Sequence, residues 1–297
     1  MTSFLYPIDS VDVSTDQVLV GLSSLEGNLW SGGLAVLDFS SGNVLSNTHL
    51  DSGVAVCRFM NHDVNRIVAG CDDGHLHIYS FGDGLAHQHS VHTHQHIIST
   101  LCPLAHFVLT GSWDQDIKCY DLNSIDKPIF SLSEAHDGHI TSLSASSTDP
   151  NTFASVGTDY MLKMWDIRTS TQDGCTHLHL HNQILTCVSW DGYNLWLGDD
   201  SGGVYHHDIR NHHQHTRHKL HGNRVRGIRH HPQLSYLASC SDDASVAIWD
   251  KKDMKVMDRQ VYTYSYAYIY CTHTYTCSYT CTYTSNTHTY TQVVHPY

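Results

Sequence analysis

The chain is 297 residues long and 40% of it is hydrophobic, which is enough to bury one large all-β core or two ordinary ones. Its 16 Lys and Arg residues are outnumbered by 29 Asp and Glu residues, and the formal net charge of -13 argues against direct nucleic-acid binding and favours basic protein partners. No apolar run approaches the roughly 20 residues that span a bilayer, and the N-terminus lacks a basic region followed by an apolar one, so we expect neither a membrane partner nor secretion.

A motif of about forty residues repeats along the chain. Each copy contains three strand-like runs separated by turn residues, with room for a fourth strand in the connection. The third runs end at or near Asp38, Ser80, Asp121, Asp166, Asp208 and Asp250, at steps of 42, 41, 45, 42 and 42 residues. Units of this length with Trp-Asp closing the third strand resemble the WD-repeat β-propellers. The sequence therefore predicts an all-β WD-repeat β-propeller over residues 1–260, with six recognisable blades of an expected seven.

Aspartates recur at a fixed place within the repeats, six residues before the aromatic residue of the third strand. This spacing puts the carboxylate in the tight turn between the second and third strands, where it can accept backbone and side-chain hydrogen bonds. We therefore expect these aspartates to be structural rather than catalytic. The predicted structural set, which includes histidines at the start of two repeats, is Asp73, Asp114, His136, Asp159, Trp165, His221, Asp243 and Trp249.

The two ends of the chain do not supply a complete seventh blade. Residues 1–16 are too short for a blade but long enough to donate one closing strand. Residues 261–297 contain no Asp, Glu, Lys or Arg and hold 10 of the 17 tyrosines, so they favour strands but offer no apolar face. Their residue types match a translated pyrimidine-purine repeat, and we interpret this low-complexity tail as read-through that replaces the native blade. A genuine Tyr-rich adhesive tail is the alternative.

The first repeat carries a more specific signal, "VLVGLSSLEGNLWSGGLAVLDF", and further matching segments include "LWLGDDSGGVYHHD" and "RVRGIRHHPQLSYLASCSDDASVAIWD". Over about residues 17–250 these segments resemble, in order, the methylosome WD-repeat family. The resemblance implies a non-enzymatic scaffold, in cytoplasm and nucleus, that binds a symmetric-dimethylating (type II) protein arginine methyltransferase. It also implies that the scaffold presents arginine-rich substrates, namely histone tails and the Sm proteins of snRNP assembly.

In that family the tryptophan matching Trp30 lies at the docking surface. We predict that Trp30, Asn28 and Leu29 bind the partner from a projecting loop over residues 27–33, because buried Trp dominates interface hot spots and glycines let a loop project. Packing of Trp30 between blades is the alternative. Three acidic pairs at turns either attract arginine-rich tails or are ordinary solvated turns. They are Asp72-Asp73, Asp199-Asp200 and Asp242-Asp243.

Other chemistry finds little support in the sequence. His177, His179 and His181 would point to one side of a strand, a spacing that can bind Zn²⁺, but no further ligand completes the site, so we expect no metal and no cofactor. Nucleophile-elbow, P-loop and dinucleotide-binding motifs are absent, so we expect no enzyme. The alternative function is another WD-repeat scaffold, such as a ubiquitin-ligase substrate receptor or a histone-binding adaptor.

Six cysteines lie singly in or beside apolar strand-like runs and are expected to be buried reduced thiols rather than disulfides. They are Cys57, Cys71, Cys102, Cys119, Cys187 and Cys240.

Overall fold

The computed structural model describes residues 7–26, 29–60, 63–104, 106–169, 175–211, 215–231, 234–261, 267–271 and 277–281. For residues 26, 29, 30 and 176–180, and for the two segments after residue 266, it describes the backbone alone. Within these ranges the chain forms six four-stranded antiparallel sheets and one two-stranded sheet. No helix among them is long and apolar enough to cross a membrane.

Consecutive strands are neighbours in every four-stranded sheet, and we call these sheets blades 1 to 6 in chain order. Blades 1 to 3 contain β1 (Ile8–Val13), β2 (Gln17–Glu26), β3 (Leu29–Asp38), β4 (Val44–Leu50), β5 (Val54–Met60), β6 (Asp63–Cys71), β7 (His75–Phe81), β8 (Leu85–His92), β9 (Ile98–Leu104), β10 (Phe107–Ser112), β11 (Ile117–Asp121) and β12 (Phe130–Leu132). Blades 4 to 6 contain β13 (Ile140–Ala145), β14 (Thr152–Gly157), β15 (Met161–Asp166), β16 (Thr176–Leu180), β17 (Leu185–Asp191), β18 (Asn194–Asp199), β19 (Gly203–Asp208), β20 (His215–Lys219), β21 (Val225–His230), β22 (Tyr236–Ser241), β23 (Ser245–Asp250) and β24 (Lys255–Val261). The two-stranded sheet pairs β25 (Ala267–Cys271) with β26 (Cys277–Cys281).

The predicted fold class is confirmed. The third strand of five blades ends at the residue that the repeat spacing marks, and β7 ends one residue later, at Phe81. The fourth strand of each blade lies in the connection, as expected. The even spacing therefore reflects one four-stranded unit per repeat.

The described part of the N-terminal segment does not supply the closing strand that its length would allow. β1 instead pairs antiparallel with β2, with Val11 opposite Val20, and forms the first strand of blade 1. Hydrogen bonds also hold it to β5 of blade 2, because Ser10 Oγ accepts the Cys57 N–H at 3.0 Å and Asp12 Oδ2 accepts the Phe59 N–H at 2.8 Å. The hydrogen bonds of β1 thus go to β2 of blade 1 and to β5 of blade 2.

The chain divides into two compact units, residues 1–143 with 167–174, and residues 144–166 with 175–297. In the first unit, blade 1 packs on blade 2 and blade 2 on blade 3 through buried apolar residues. Representative residues are Leu19, Leu34, Phe59 and Ile67 for one layer and Val56, Leu76, Ile98 and Val108 for the other. The second unit repeats this packing with Ala154, Leu162, Val188 and Leu197, and with Trp196, Val204, Val225 and Trp249.

Burial falls from the inner to the outer strands of a blade. The second strands, such as β10 and β22, are almost wholly buried, whereas β8 and β24 are largely exposed. A strand buried on both faces needs apolar and small side chains on both, which explains why these strands read as continuous apolar runs rather than alternating ones.

The six cysteines predicted as buried thiols are buried and free. Burial raises the pKa of Cys57 and of Cys119 to about 12. Their thiolates are therefore scarce at neutral pH, and these side chains act as small apolar groups of the core.

The low-complexity tail contributes a hairpin to the described structure. Ile269 pairs with Tyr279, and β25 lies beside β21 and β22 of blade 6. Residues 262–266, 272–276 and 282–297 lie outside the described residues. The interpretation of this segment as read-through in place of a native blade stays a prediction.

Gly202, in the turn between β18 and β19, provides a test of the turn geometry. Its φ is +92°, and a Cβ there would lie 2.6 Å from the carbonyl carbon of His221. Gly192 also has a positive φ, +58°, but a Cβ there would meet nothing within 4 Å. We expect Gly202→Ala to lower the free energy of unfolding by about 2–4 kcal/mol and Gly192→Ala by about 1 kcal/mol, because only the first adds a backbone clash to the strain. Chemical denaturation followed by tryptophan fluorescence measures both, and equal losses would contradict the clash.

Candidate protein-interaction edge

The turn between the second and third strands of a blade and the connection that enters its first strand lie at one end of the sheet, which we call the turn edge. In blade 6 a chain of hydrogen bonds joins the two. Trp249 Nε1–H donates to Ser239 Oγ at 3.0 Å, and Ser239 Oγ lies 2.7 Å from His221 Nε2. His221 Nδ1 lies 2.9 Å from Ser245 Oγ, which donates to Asp243 Oδ1 at 2.6 Å. Every polar atom along this buried path has a partner, so the turn and the connection are held rigidly together.

Blade 3 builds the same link with different residues. His94 Nδ1 lies 3.0 Å from both carboxylate oxygens of Asp114, and His94 Nε2 lies 2.7 Å from Thr110 Oγ1. A carboxylate only accepts, so the His94 Nδ1–H donates to Asp114. Tyr120 takes the place of the tryptophan and has no indole N–H to donate to Thr110. The link therefore tolerates a change of its aromatic member.

The other predicted members of the structural set lie in blades 2 and 4. In blade 4, Trp165 Nε1–H donates to Ser155 Oγ at 2.7 Å, and Asp159 accepts the Met161 N–H at 3.1 Å. His136 is buried. In blade 2, Asp73 is exposed and accepts the His75 N–H at 3.1 Å, because Leu50 stands where blade 6 has its histidine.

These hydrogen bonds determine the charge state of the turn carboxylates. Burial would raise the pKa of Asp114, but the His94 ring bonded to it holds that pKa below its ordinary range. Burial likewise opposes a lowering of the Asp243 pKa, and the Ser245 hydroxyl and Gly222 amide outweigh it. Burial lowers the pKa of His221, with Asp243 opposing. The carboxylates are thus ionised and saturated, and they are not poised for proton transfer.

In two of the three acidic pairs, arginines of the chain itself bind one or both carboxylates. Asp199 is 0% exposed and accepts two hydrogen bonds from Arg217, at 3.0 and 2.7 Å, as well as the Gly203 N–H at 2.6 Å. Asp242 accepts from Arg226 Nε at 2.6 Å. Asp243 accepts from Arg259 at 3.2 Å. Asp199 and Asp243 therefore have little free capacity for an incoming arginine. Asp200 Oδ1 is buried without a hydrogen-bond partner. The Asp72 carboxylate in blade 2 accepts no hydrogen bond from a described side chain.

Several of these partners were missed by the sequence reading. Thr110, Ser155 and Ser239 each lie four residues before a turn aspartate, and His94 lies four residues before Ile98 just as His221 lies four before Val225. These constant offsets could have identified the four residues from the sequence. No sequence pattern indicated Arg217, because it reaches Asp199 across the sheet from β20.

Two of the three residues predicted to dock the partner, Leu29 and Trp30, lie on strand β3 rather than in a loop. The β2–β3 ladder spans ten residue pairs and continues to Leu25 opposite Trp30 and Glu26 opposite Leu29, whereas the corresponding ladder of every other blade spans five. Asn28 lies outside the described residues, as do the side chains of Leu29 and Trp30. The Gly27-Asn28 dipeptide between two strand-like runs is the hairpin signal that the loop interpretation overlooked. Leu25, on this hairpin, is 52% exposed.

The histidine clusters do not assemble a metal centre in the part of the chain that the structure describes, where no three His, Cys, Asp or Glu side chains converge suitably. His181 is buried, with its ring 4.6 Å from Tyr205 and 5.1 Å from His207. The side chains of His177 and His179 lie outside the described residues.

Removal of Arg217 tests the buried ion pair. Arg217→Ala leaves a fully buried Asp199 carboxylate without its cation, so we expect a loss of about 3–5 kcal/mol in the free energy of unfolding. Arg210→Ala, the matched control, breaks a 2.6 Å pair with Asp208 at the exposed end of the same blade and should change little. Urea denaturation measures both variants. A comparable loss in the two would show that Asp199 does not depend on Arg217.

Stability should fall on mild acidification. Burial lowers the pKa of His221, and burial with nearby His87 lowers the pKa of His77 from 6.5 to about 4. The unfolded chain therefore binds more protons below pH 6.5, and this stability is lost as pH falls from about 6.5 towards 4. The Asp72 carboxyl has the opposite effect on stability, because its pKa is raised to about 6 and the folded chain therefore binds its proton first. It is only one group against two histidines. We expect a lower urea midpoint at pH 5.0 than at pH 7.5, and a midpoint that rises would contradict this.

The comparisons with known proteins agree with this architecture. Residues 86–121, 126–166 and 213–250 match the family described as "WD domain, G-beta repeat". The chain is 31% identical to a guanine nucleotide-binding protein subunit beta of Arabidopsis thaliana over 125 residues, 40% of this chain and 33% of the relative. It is 26% identical to a WD repeat-containing protein of Dictyostelium discoideum over 148 residues, 48% of this chain and 8% of the relative.

A third relative, the anaphase-promoting complex subunit cdh1 of Dictyostelium discoideum, is 27% identical over 96 residues, 32% of this chain and 12% of the relative. The matched segments span a third or less of the length of these relatives. The repeats, the four-stranded blades and these similarities together show the fold of a WD-repeat β-propeller.

Proposed function

We propose that this chain is a non-catalytic scaffold that binds a type II protein arginine methyltransferase and presents arginine-rich substrates, histone tails and Sm proteins, for symmetric dimethylation. The observation that carries the proposal is the first-blade hairpin, β2–β3, whose ladder is twice as long as that of any other blade. It is also where the sequence resembles the methylosome family most specifically. The proposal places the protein in cytoplasm and nucleus and requires neither cofactor nor metal.

The hairpin has the properties of a docking element. Hydrogen bonds along the ladder fix its backbone before a partner arrives, so little conformational entropy is lost on binding. An exposed Leu25 beside the Trp30 position offers apolar area, and a buried tryptophan is a frequent centre of an interface hot spot. The longer hairpin is thus an extension of the β2–β3 ladder of blade 1.

Charge supports the presentation of basic substrates. The net charge of -13 attracts arginine-rich segments over a distance of about one Debye length, roughly 8 Å at physiological ionic strength. The interaction accelerates encounter more than it adds affinity. A scaffold that collects basic tails near a bound enzyme needs this property.

A second candidate is a subunit of a different assembly, such as a ubiquitin-ligase substrate receptor or a histone-binding adaptor. The similarity to a subunit of the anaphase-promoting complex favours it. Affinity purification of the full chain from cells followed by mass spectrometry separates the two. A stoichiometric arginine methyltransferase supports the first candidate, and a different stoichiometric complex without a methyltransferase supports the second.

Trp30→Ala tests the hairpin. We expect at least about 30-fold weaker binding of the methyltransferase, the effect of a hot spot of about 2 kcal/mol, measured by surface plasmon resonance with the purified enzyme. Trp113→Ala is the control, because Trp113 is 44% exposed on the turn edge of blade 3, outside the hairpin. Undiminished affinity of a folded Trp30→Ala protein would refute docking through this residue.

A further inference from the structure

The Asp72 carboxylate lacks the side-chain donors that three other carboxylates of the turn edge have. Asp114, Asp199 and Asp243 each accept hydrogen bonds from side chains of their own blade. The Asp72 carboxylate accepts none from the described part of the chain, and only its backbone N–H is bonded, to the Gly53 carbonyl at 3.0 Å. Burial raises the pKa of Asp72 to about 6, and the neighbouring Asp9 and Asp73 carboxylates add to the effect. Three carboxylates thus lie near one another here, and Asp72 itself has no cation partner among the described residues.

A buried hydroxyl lies beside this carboxylate. Ser23 is 5% exposed, and its Oγ has no hydrogen-bond partner among the described residues. A Cβ built on Gly53 would lie 2.8 Å from Ser23 Oγ and would collide with Asp72 Oδ2. The two oxygens thus converge on the same side of Gly53. An unpartnered buried hydroxyl costs free energy, which a donor entering beside it would recover.

The donor requirements of this arrangement are specific. The groups gathered here are one carboxylate, one hydroxyl oxygen and two further carboxylates nearby. A cation with several N–H groups matches them best. The arginine guanidinium presents five donors in a planar fork, which can bind the carboxylate in a bidentate manner and leave an N–H for the hydroxyl. A lysine ammonium is a compact point charge and matches the planar carboxylate less well.

The position of these residues connects them with the first-blade hairpin. Ser23 lies on β2, within the ladder that continues to Trp30, and Asp72 follows β6 in the neighbouring blade. We call Ser23, Gly53 and Asp72, with Asp9 and Asp73 around them, the Asp72 pocket. We propose that the Asp72 pocket binds an arginine side chain of the substrate segment that the scaffold presents. The proposal rests on the proposed function, since it assumes that such segments are brought to this protein.

The test uses the purified full chain and a defined probe. The probe is a capped Gly-Arg-Gly-Arg-Gly-Arg-Gly peptide, with the same peptide carrying citrulline, a neutral isostere, as its control. Asp72→Asn removes the acceptor charge with little change of shape, and we expect about tenfold weaker binding of the arginine peptide by isothermal titration calorimetry. Asp83→Asn removes the same charge from the exposed loop between β7 and β8, and it should weaken binding less than about twofold.

Ser23→Ala examines the hydroxyl separately. It should weaken binding of the arginine peptide about threefold while the thermal midpoint of the free chain stays the same or rises, because an unpartnered polar group has been removed. A midpoint that falls together with affinity would mean that the hydroxyl is structural and would overturn its part in the pocket. Thermal midpoints also establish that the Asp72→Asn chain is folded.

The outcomes separate this proposal from the proposed function. Equal weakening by Asp72→Asn and Asp83→Asn, equal binding of the citrulline peptide, or no binding by the unmodified chain would overturn the pocket. If the methyltransferase still co-purifies in that case, the scaffold function stands without it. If no methyltransferase co-purifies but arginine binding is selective and depends on Asp72, the pocket stands and the methyltransferase assignment fails.

Discussion

A partly buried carboxylate in a tight turn needs hydrogen-bond donors, and the blades differ in which residues provide them. Blades 3 and 6 supply a histidine from the entering connection, so that the turn and the connection become one rigid unit. Blade 5 has Asp199 buried two residues earlier in its turn and supplies Arg217 from its outer strand. Blade 2 supplies no donor to Asp72 from the described residues. Side-chain donors thus meet this requirement for Asp114, Asp199 and Asp243, whereas Asp72 has none among the described residues.

Packing provides the platform on which this edge is held. Because the second strand of a blade is buried on both faces, the apolar layers on either side of it fix the direction in which its turn points. Within each compact unit, neighbouring blades share these layers. The hydrogen-bonded histidines then add local rigidity to a position that the core has already determined. Docking elements built on such a platform lose little entropy when a partner binds.

Much of the fold could be predicted from local sequence, because a blade is a local object. Its strands are consecutive, and its length varies only from 41 to 45 residues. In four blades the turn aspartate stands six residues before the third-strand aromatic residue, so the period can be read from the sequence alone. The sequence reading failed where contacts cross between elements. The pairing of β1 depends on bonds to β5, and the Asp199 partner comes from β20. The hairpin at Trp30 was read as a loop because its glycines were weighed above the strand pattern on both sides.

The arrangement of strands also bears on how the chain acquires its structure. Since each strand of a blade pairs with the one just before it in sequence, only short loops need to close, and each blade can form soon after its last strand leaves the ribosome. The six blades precede the uncharged Tyr-rich segment in the order of synthesis. The earlier repeats can therefore be paired before the Tyr-rich segment is synthesised, and the described part of that segment lies beside blade 6.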